Sequence, residues 1–115
     1  MSVSKVLAVV PVDDFDAAIA WYERFLGRPA DARPMADLDD WHVTDSAWVS
    51  VFRNPDRRGS TLLNFAVDDL DTHIAELATQ GITVGAVSTT TKNAKVATVA
   101  DPDGNMIALI ENPSN

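Results

Sequence analysis

The chain has 115 residues, 46% of them hydrophobic, a length and composition that make one domain with a real core and argue against disorder. Acidic residues outnumber basic ones 17 to 9, and the formal charge of −8 repels phosphate backbones and leaves no basic patch for nucleic acid. Cysteine is absent, which removes disulfides, thiolate metal sites and a cysteine nucleophile, and no apolar run approaches the roughly 18 residues that span a bilayer. Met1 to Lys5 lack the apolar stretch of a signal peptide, so a cytoplasmic protein with no membrane partner is expected.

Val6-Leu7-Ala8-Val9-Val10 is an apolar run of strand length. Helical spacing follows, with Phe15, Ala18, Ile19 and Tyr22 at i, i+3, i+4 and i+7 forming one apolar stripe. Asp13 or Asp14 can cap the first turn, Asp16 complements the positive end of the macrodipole, and Gly27 suits a left-handed C-terminal cap. Strand-like segments come next, with turn signals at Asp39-Asp40 and Asp45-Ser46. Asn54-Pro55-Asp56-Arg57-Arg58-Gly59 is polar and holds both Pro and Gly, so it reads as a linker. The pattern then restarts. Leu62-Leu63-Asn64-Phe65 is a second short strand. Leu70, Ile74 and Leu77 form a second stripe, capped by Asp68 or Asp69 with Asp71 in the first turn and Gly81 at the end, and turns follow at Lys92-Asn93 and Asp101-Pro102-Asp103-Gly104-Asn105.

The restart is an internal repeat. Val12-Asp13-Asp14-Phe15-Asp16 recurs as Val67-Asp68-Asp69-Leu70-Asp71, an offset of 67 − 12 = 55 residues that also pairs Leu7 with Leu62 and Ile19 with Ile74. Each copy reads as strand, helix and three strands, giving module 1 over about 4–54, a linker over about 54–59 and module 2 over about 60–112.

Several stretches are similar to one family: Pro11-Val12-Asp13-Asp14, Trp21-Tyr22-Glu23-Arg24-Phe25-Leu26-Gly27, Asn64-Phe65-Ala66-Val67-Asp68-Asp69-Leu70-Asp71 and Asp101-Pro102-Asp103-Gly104-Asn105-Met106-Ile107. With the repeat, they make the chain resemble the vicinal oxygen chelate superfamily, also called glyoxalase/bleomycin-resistance/dioxygenase. The resemblance implies an α+β fold of two tandem βαβββ modules whose curved mixed sheets surround a cavity. It also implies a homodimer, because chains of this family commonly pack through their modules.

Metal-dependent members of that family place one ligand on the first and last strand of each module. Matched motif by motif, those positions fall here at Leu7, Ser50, Leu62 and Ala108. None offers the imidazole or carboxylate that a divalent Fe, Mn, Ni or Zn centre needs, so no metal and no cofactor are expected.

Strand alternation assigns the cavity lining. If Ala8, Val10, Leu63 and Phe65 pack under the helices, Leu7, Val9, Leu62 and Asn64 face the cavity, with Trp48, Ser50 and Phe52 from one later strand and Met106, Ala108 and Ile110 from another. A two-residue turn at Asp45-Ser46 sets Val43 opposite Trp48 and Trp41 opposite Ser50, adding Trp41 and Val43 to the lining and turning His42 away. A longer turn shifts the register by one and aims His42 inward, where it becomes a candidate general base beside Asp40. Asp37, Asp39, Asp40 and Asp45 are spaced as in a loop and turn, where solvated carboxylates are the default. His73, on the second helix, is expected at a stripe edge or the surface, away from the cavity.

The expected function is metal-independent binding of a small organic ligand, with cationic, antibiotic-like compounds as candidates, as in the bleomycin-resistance branch that the chain resembles. The alternatives are an isomerase or lyase with a non-standard site, using His42 or displaced metal ligands, and a structural or partner-binding domain with a collapsed cavity.

Overall fold

The computed structural model describes residues 2–113. Its elements run β1 (Val6–Val12), α1 (Phe15–Leu26), β2 (Ala32–Met35), β3 (Leu38–Trp41), β4 (Ala47–Arg53), a 3-10 turn (Pro55–Arg57), β5 (Leu62–Ala66), α2 (Leu70–Thr79), β6 (Ser88–Thr89), β7 (Lys95–Ala100) and β8 (Met106–Glu111). They form two four-stranded mixed sheets of identical topology, β1-β4-β3-β2 and β5-β8-β7-β6. In each, the first strand pairs in parallel with the last, and the two remaining strands continue antiparallel. This is the duplicated βαβββ fold that the 55-residue repeat implies.

Both helices start where an aspartate satisfies a first-turn N–H. Asp14 accepts from Ala17 N at 3.1 Å and Asp69 from Thr72 N at 3.0 Å. Gly27 ends α1 in the left-handed conformation at φ 78°. The stripe Phe15, Ala18, Ile19 and Tyr22 is buried, joined by Trp21 and Phe25, whose rings stack at 5.0 Å. Phe25 also stacks on Phe65 of β5 at 6.1 Å, so one hydrophobic core runs through both modules.

The Asp101–Asn105 turn locks the halves together. Asp101, 5% exposed, accepts from the Tyr22 hydroxyl at 2.8 Å, the Asn105 amide at 2.8 Å, and the Asp103 and Asn105 backbone N–H groups at 2.9 Å each. Asn105 in turn donates to the Pro11 carbonyl of β1 and accepts from Thr61 N ahead of β5. A buried carboxylate needs several donors, and this one receives them from α1 and from its own turn.

Two turn assignments change. Asp39-Asp40 lies inside β3, and the chain turns earlier, at Ala36-Asp37. The connection from β3 to β4 takes five residues, His42 to Ser46, in place of a two-residue hairpin.

Candidate functional site

Each sheet presents one face to the helices and core and leaves the other open. On the core face stand Val10, Val12, Val49 and Val51 in the first sheet, and Leu63, Ala97, Val99, Ile107 and Leu109 in the second, all buried. The open faces are apolar and partly bare: Leu7 is 45% exposed, Val9 48%, Leu62 72% and Met106 38%. Trp48 and Phe52 are half-buried, as is Ile110, while Ser50 and Ala108 are buried. Register aligns these groups in rows, Val9–Ser50–Asp40 on the first sheet and Asn64–Ala108–Thr98 on the second. Asn64 is exposed on an edge strand, where solvent satisfies its amide.

The β3–β4 register is one residue away from the two-residue-turn expectation. Asp40 pairs with Ser50 and Trp41 with Val49. The cause is a capture of His42 by the segment after α1. The His42 backbone N–H donates to Asp31 Oδ2 at 2.7 Å, while Arg28 Nη2 donates to the His42 carbonyl at 2.6 Å and to Asp31 at 3.0 Å. With both backbone groups engaged, the ladder ends at Trp41 and the turn lengthens. The same His42 N–H, with Arg28 beside it, holds the Asp31 carboxyl below its ordinary range.

Trp41 therefore leaves the expected lining. It is fully buried on the core face, its indole N–H donating to the Arg28 carbonyl at 2.9 Å and its ring 6.2 Å from Tyr22. His42 comes to the open face instead, as the longer-turn alternative requires. Its imidazole lies flat on Trp48, centroids 3.6 Å apart and planes 17° apart. Lys5 Nζ sits 3.6 Å from the Trp48 ring centroid, so that indole carries a cation–π contact as well as an imidazole stack.

Asp39 and Asp40 correct the expectation of solvated carboxylates, being 3% and 5% exposed. They point to opposite faces. Asp39 is gripped by Arg33 through two hydrogen bonds of 2.6 and 3.0 Å. Asp40, on the open face, accepts the Ser50 hydroxyl at 2.6 Å.

A groove of about 320 Å³ opens between the modules and collects Val43, Trp48 and Asn64 of the expected lining, with Val6, Ala8 and Phe65. A neighbouring groove of about 230 Å³ shares Val43 and Phe65 and reaches His73, which is half-buried beside Phe25 and Leu26. The other expected lining residues stand on the open sheet faces, and within a single chain those two faces are not sealed into one chamber.

The donor set does not fit the family's metal. Leu7, Ser50, Leu62 and Ala108 occupy the matched positions on β1, β4, β5 and β8, and among the described residues no three His, Asp or Glu side chains gather as ligands. Among those residues, too, no helix is long and apolar enough to cross a membrane.

Two similar modules with open, aromatic and apolar sheet faces define a duplicated α+β protein of the vicinal oxygen chelate type. The sequence profile of the glyoxalase-like domain family matches residues 7–110, and the chain belongs to that family. Among solved structures it is similar to a glyoxalase/bleomycin resistance protein from Catenulispora acidiphila, at 28% identity and TM-score 0.89 over 95% of this chain and 98% of that one. An antibiotic-binding protein from a Streptomyces species matches at 28% identity and TM-score 0.79, covering 98% of this chain and 99% of that one. A bleomycin-binding protein complexed with bleomycin shares the fold at 24% identity and TM-score 0.78, covering 95% and 98%. No curated protein matches the sequence.

Proposed function

We propose that this chain is a cytoplasmic, metal-independent binding protein that sequesters a small organic compound of antibiotic type on its open sheet faces. The observation that carries the reading is the pairing of bare apolar faces with family metal positions that hold no ligating side chain. The solved structures described as antibiotic-binding and bleomycin-binding support it, and a net charge of −8 favours encounter with cationic compounds. A homodimer completes the site in this reading. Leu7, Val9, Leu62 and Met106 are too exposed for an isolated chain, and a second copy covers them while closing a cavity over the sheets. The ligand lies against Leu7, Val9, Trp48, Ser50 and Phe52 of one sheet and Leu62, Asn64, Met106, Ala108 and Ile110 of the other, with Val43 at the rim.

A thermal-shift screen against glycopeptide and other basic antibiotics tests the proposal. Stabilisation that grows with concentration is expected, about 2.7 kcal/mol at a hundred times the dissociation constant. No stabilisation by any compound counts against it.

One observation favours a second reading. His42 reaches the open face beside Asp40, which is where a metal-independent isomerase or lyase would keep its base. That reading predicts turnover abolished by His42→Gln, and activity unchanged in the variant ends it.

A further inference from the structure

Among the described residues three carboxylates are buried, and two are fully provided for. Asp39 holds Arg33 through two hydrogen bonds, and Asp101 receives four donors. Asp40, equally buried, has one neutral hydroxyl, from Ser50, and among the described residues no cationic nitrogen lies within 4.0 Å of it. Two residues along the chain, His42 Nε2 is the one buried side-chain polar atom among the described residues that has no hydrogen-bond partner. A buried polar atom without a partner is costly and calls for an explanation, and this one lies two residues along the chain from a buried carboxylate that has no cation beside it.

Both belong to the open face of the first sheet. Asp40 shares it with Ser50 by register, and His42 shares it with Trp48 by stacking. The equivalent face of the second sheet carries Asn64 and Thr98 and no charged group in the matching row. A group with one hydrogen cannot serve both acceptors.

We infer that Asp40 and His42 form the specificity-determining pair of the binding face, taking a ligand whose aromatic or apolar body carries an ammonium or amidinium end with at least two N–H donors. His42 is the acceptor through Nε2, its ring orientation fixed by the Trp48 stack and by the Arg28 and Asp31 bonds to its backbone. Asp40 supplies the opposite charge, oriented by Ser50. The inference rests on the small-molecule reading above and adds to it the chemistry of the ligand and the two groups that select it.

Two measurements test it on the 115-residue chain. The first needs no ligand: thermal unfolding of His42→Phe, which keeps a ring on Trp48, and Asp40→Asn, which keeps an acceptor for Ser50. Melting temperatures equal to or above the parent's are expected, because one variant removes an unpartnered nitrogen and the other a buried charge with no cation beside it. A clear fall in either shows that the protein, or a second copy of it, already satisfies that group, and overturns the inference. The second compares 2-naphthylmethylamine with 2-naphthylmethanol by calorimetry, following the His42 imidazole nitrogens by NMR with His73→Gln for assignment. The amine is expected to bind at least about tenfold tighter and to move the His42 signal, with the preference lost in both variants. Equal binding of amine and alcohol, or an unmoved His42 signal, overturns the inference and leaves small-molecule binding standing. Failure of both probes to bind the parent protein counts against the binding reading itself, and the inference falls with it.

Discussion

Tyr22 is the only tyrosine in the chain, it is fully buried, and its hydroxyl donates to Asp101 at 2.8 Å. Burial, then the charge and hydrogen bond of Asp101, push its ionisation far above the ordinary tyrosine value. Near pH 8, Tyr22→Phe removes one hydrogen bond to a carboxylate that keeps three other donors, which costs about 1.5 kcal/mol, or about 6 °C in melting temperature for a chain of this length. The sign of the pH effect follows from linkage. A group whose ionisation is raised on folding contributes stability that is full below its unfolded value, near pH 10, and is lost as pH rises beyond it. At pH 11 the unfolded chain gains about 1.4 kcal/mol by ionising this residue, while the native chain keeps the proton. The gap between parent and variant should therefore close from about 1.5 kcal/mol at pH 8 to nearly zero at pH 11, with other titrating groups cancelling in the difference. Urea unfolding at each pH measures it, and absorbance near 295 nm follows the single tyrosinate. Ionisation of Tyr22 near pH 10 in the native protein, or a gap that stays constant with pH, refutes the role given to the Asp101 network.

Three further outcomes follow from the geometry. Gly59 has φ 77°, and an added Cβ would sit 2.5 Å from the Asp103 carbonyl oxygen, so Gly59→Ala should cost about 3 kcal/mol or more in chemical denaturation. Because the matched metal positions hold Leu7, Ser50, Leu62 and Ala108, exhaustive chelation should change neither melting temperature nor ligand affinity, and a drop in either would reveal ligands elsewhere. Light scattering at micromolar concentration should give twice the chain mass of 12.4 kDa, and a monomer mass contradicts the covered-face reading.

What the sequence makes legible is local or repeated. The Val12–Asp16 and Val67–Asp71 copies predict two equivalent modules, and the stripes from Phe15 to Tyr22 and from Leu70 to Leu77 predict the helices together with their aspartate caps. Strand alternation separates the bare residues Leu7, Val9 and Leu62 from the buried Val10 and Leu63. The failures come from contacts distant in sequence. Trp41 and His42 exchange faces because Arg28 and Asp31, more than ten residues earlier, take the His42 backbone and lengthen the turn. Asp39 and Asp40 read as turn residues because their burial depends on Arg33 and Ser50, partners that no periodicity of β3 itself encodes. Asp31 lying eleven residues before His42 was the available signal, but two residues on separate elements have no characteristic spacing to betray them.

In the proposed function the open faces bind a small organic compound and release it unchanged. Tryptophan fluorescence reports on it directly, because Trp48 lies on the first of those faces beside His42. The chelator-treated protein is titrated with basic antibiotics, and the bound compound is recovered for mass analysis. Saturable quenching with the compound recovered intact is the predicted result. A compound recovered with altered mass, or no change in fluorescence with any of them, contradicts a binding function for these faces.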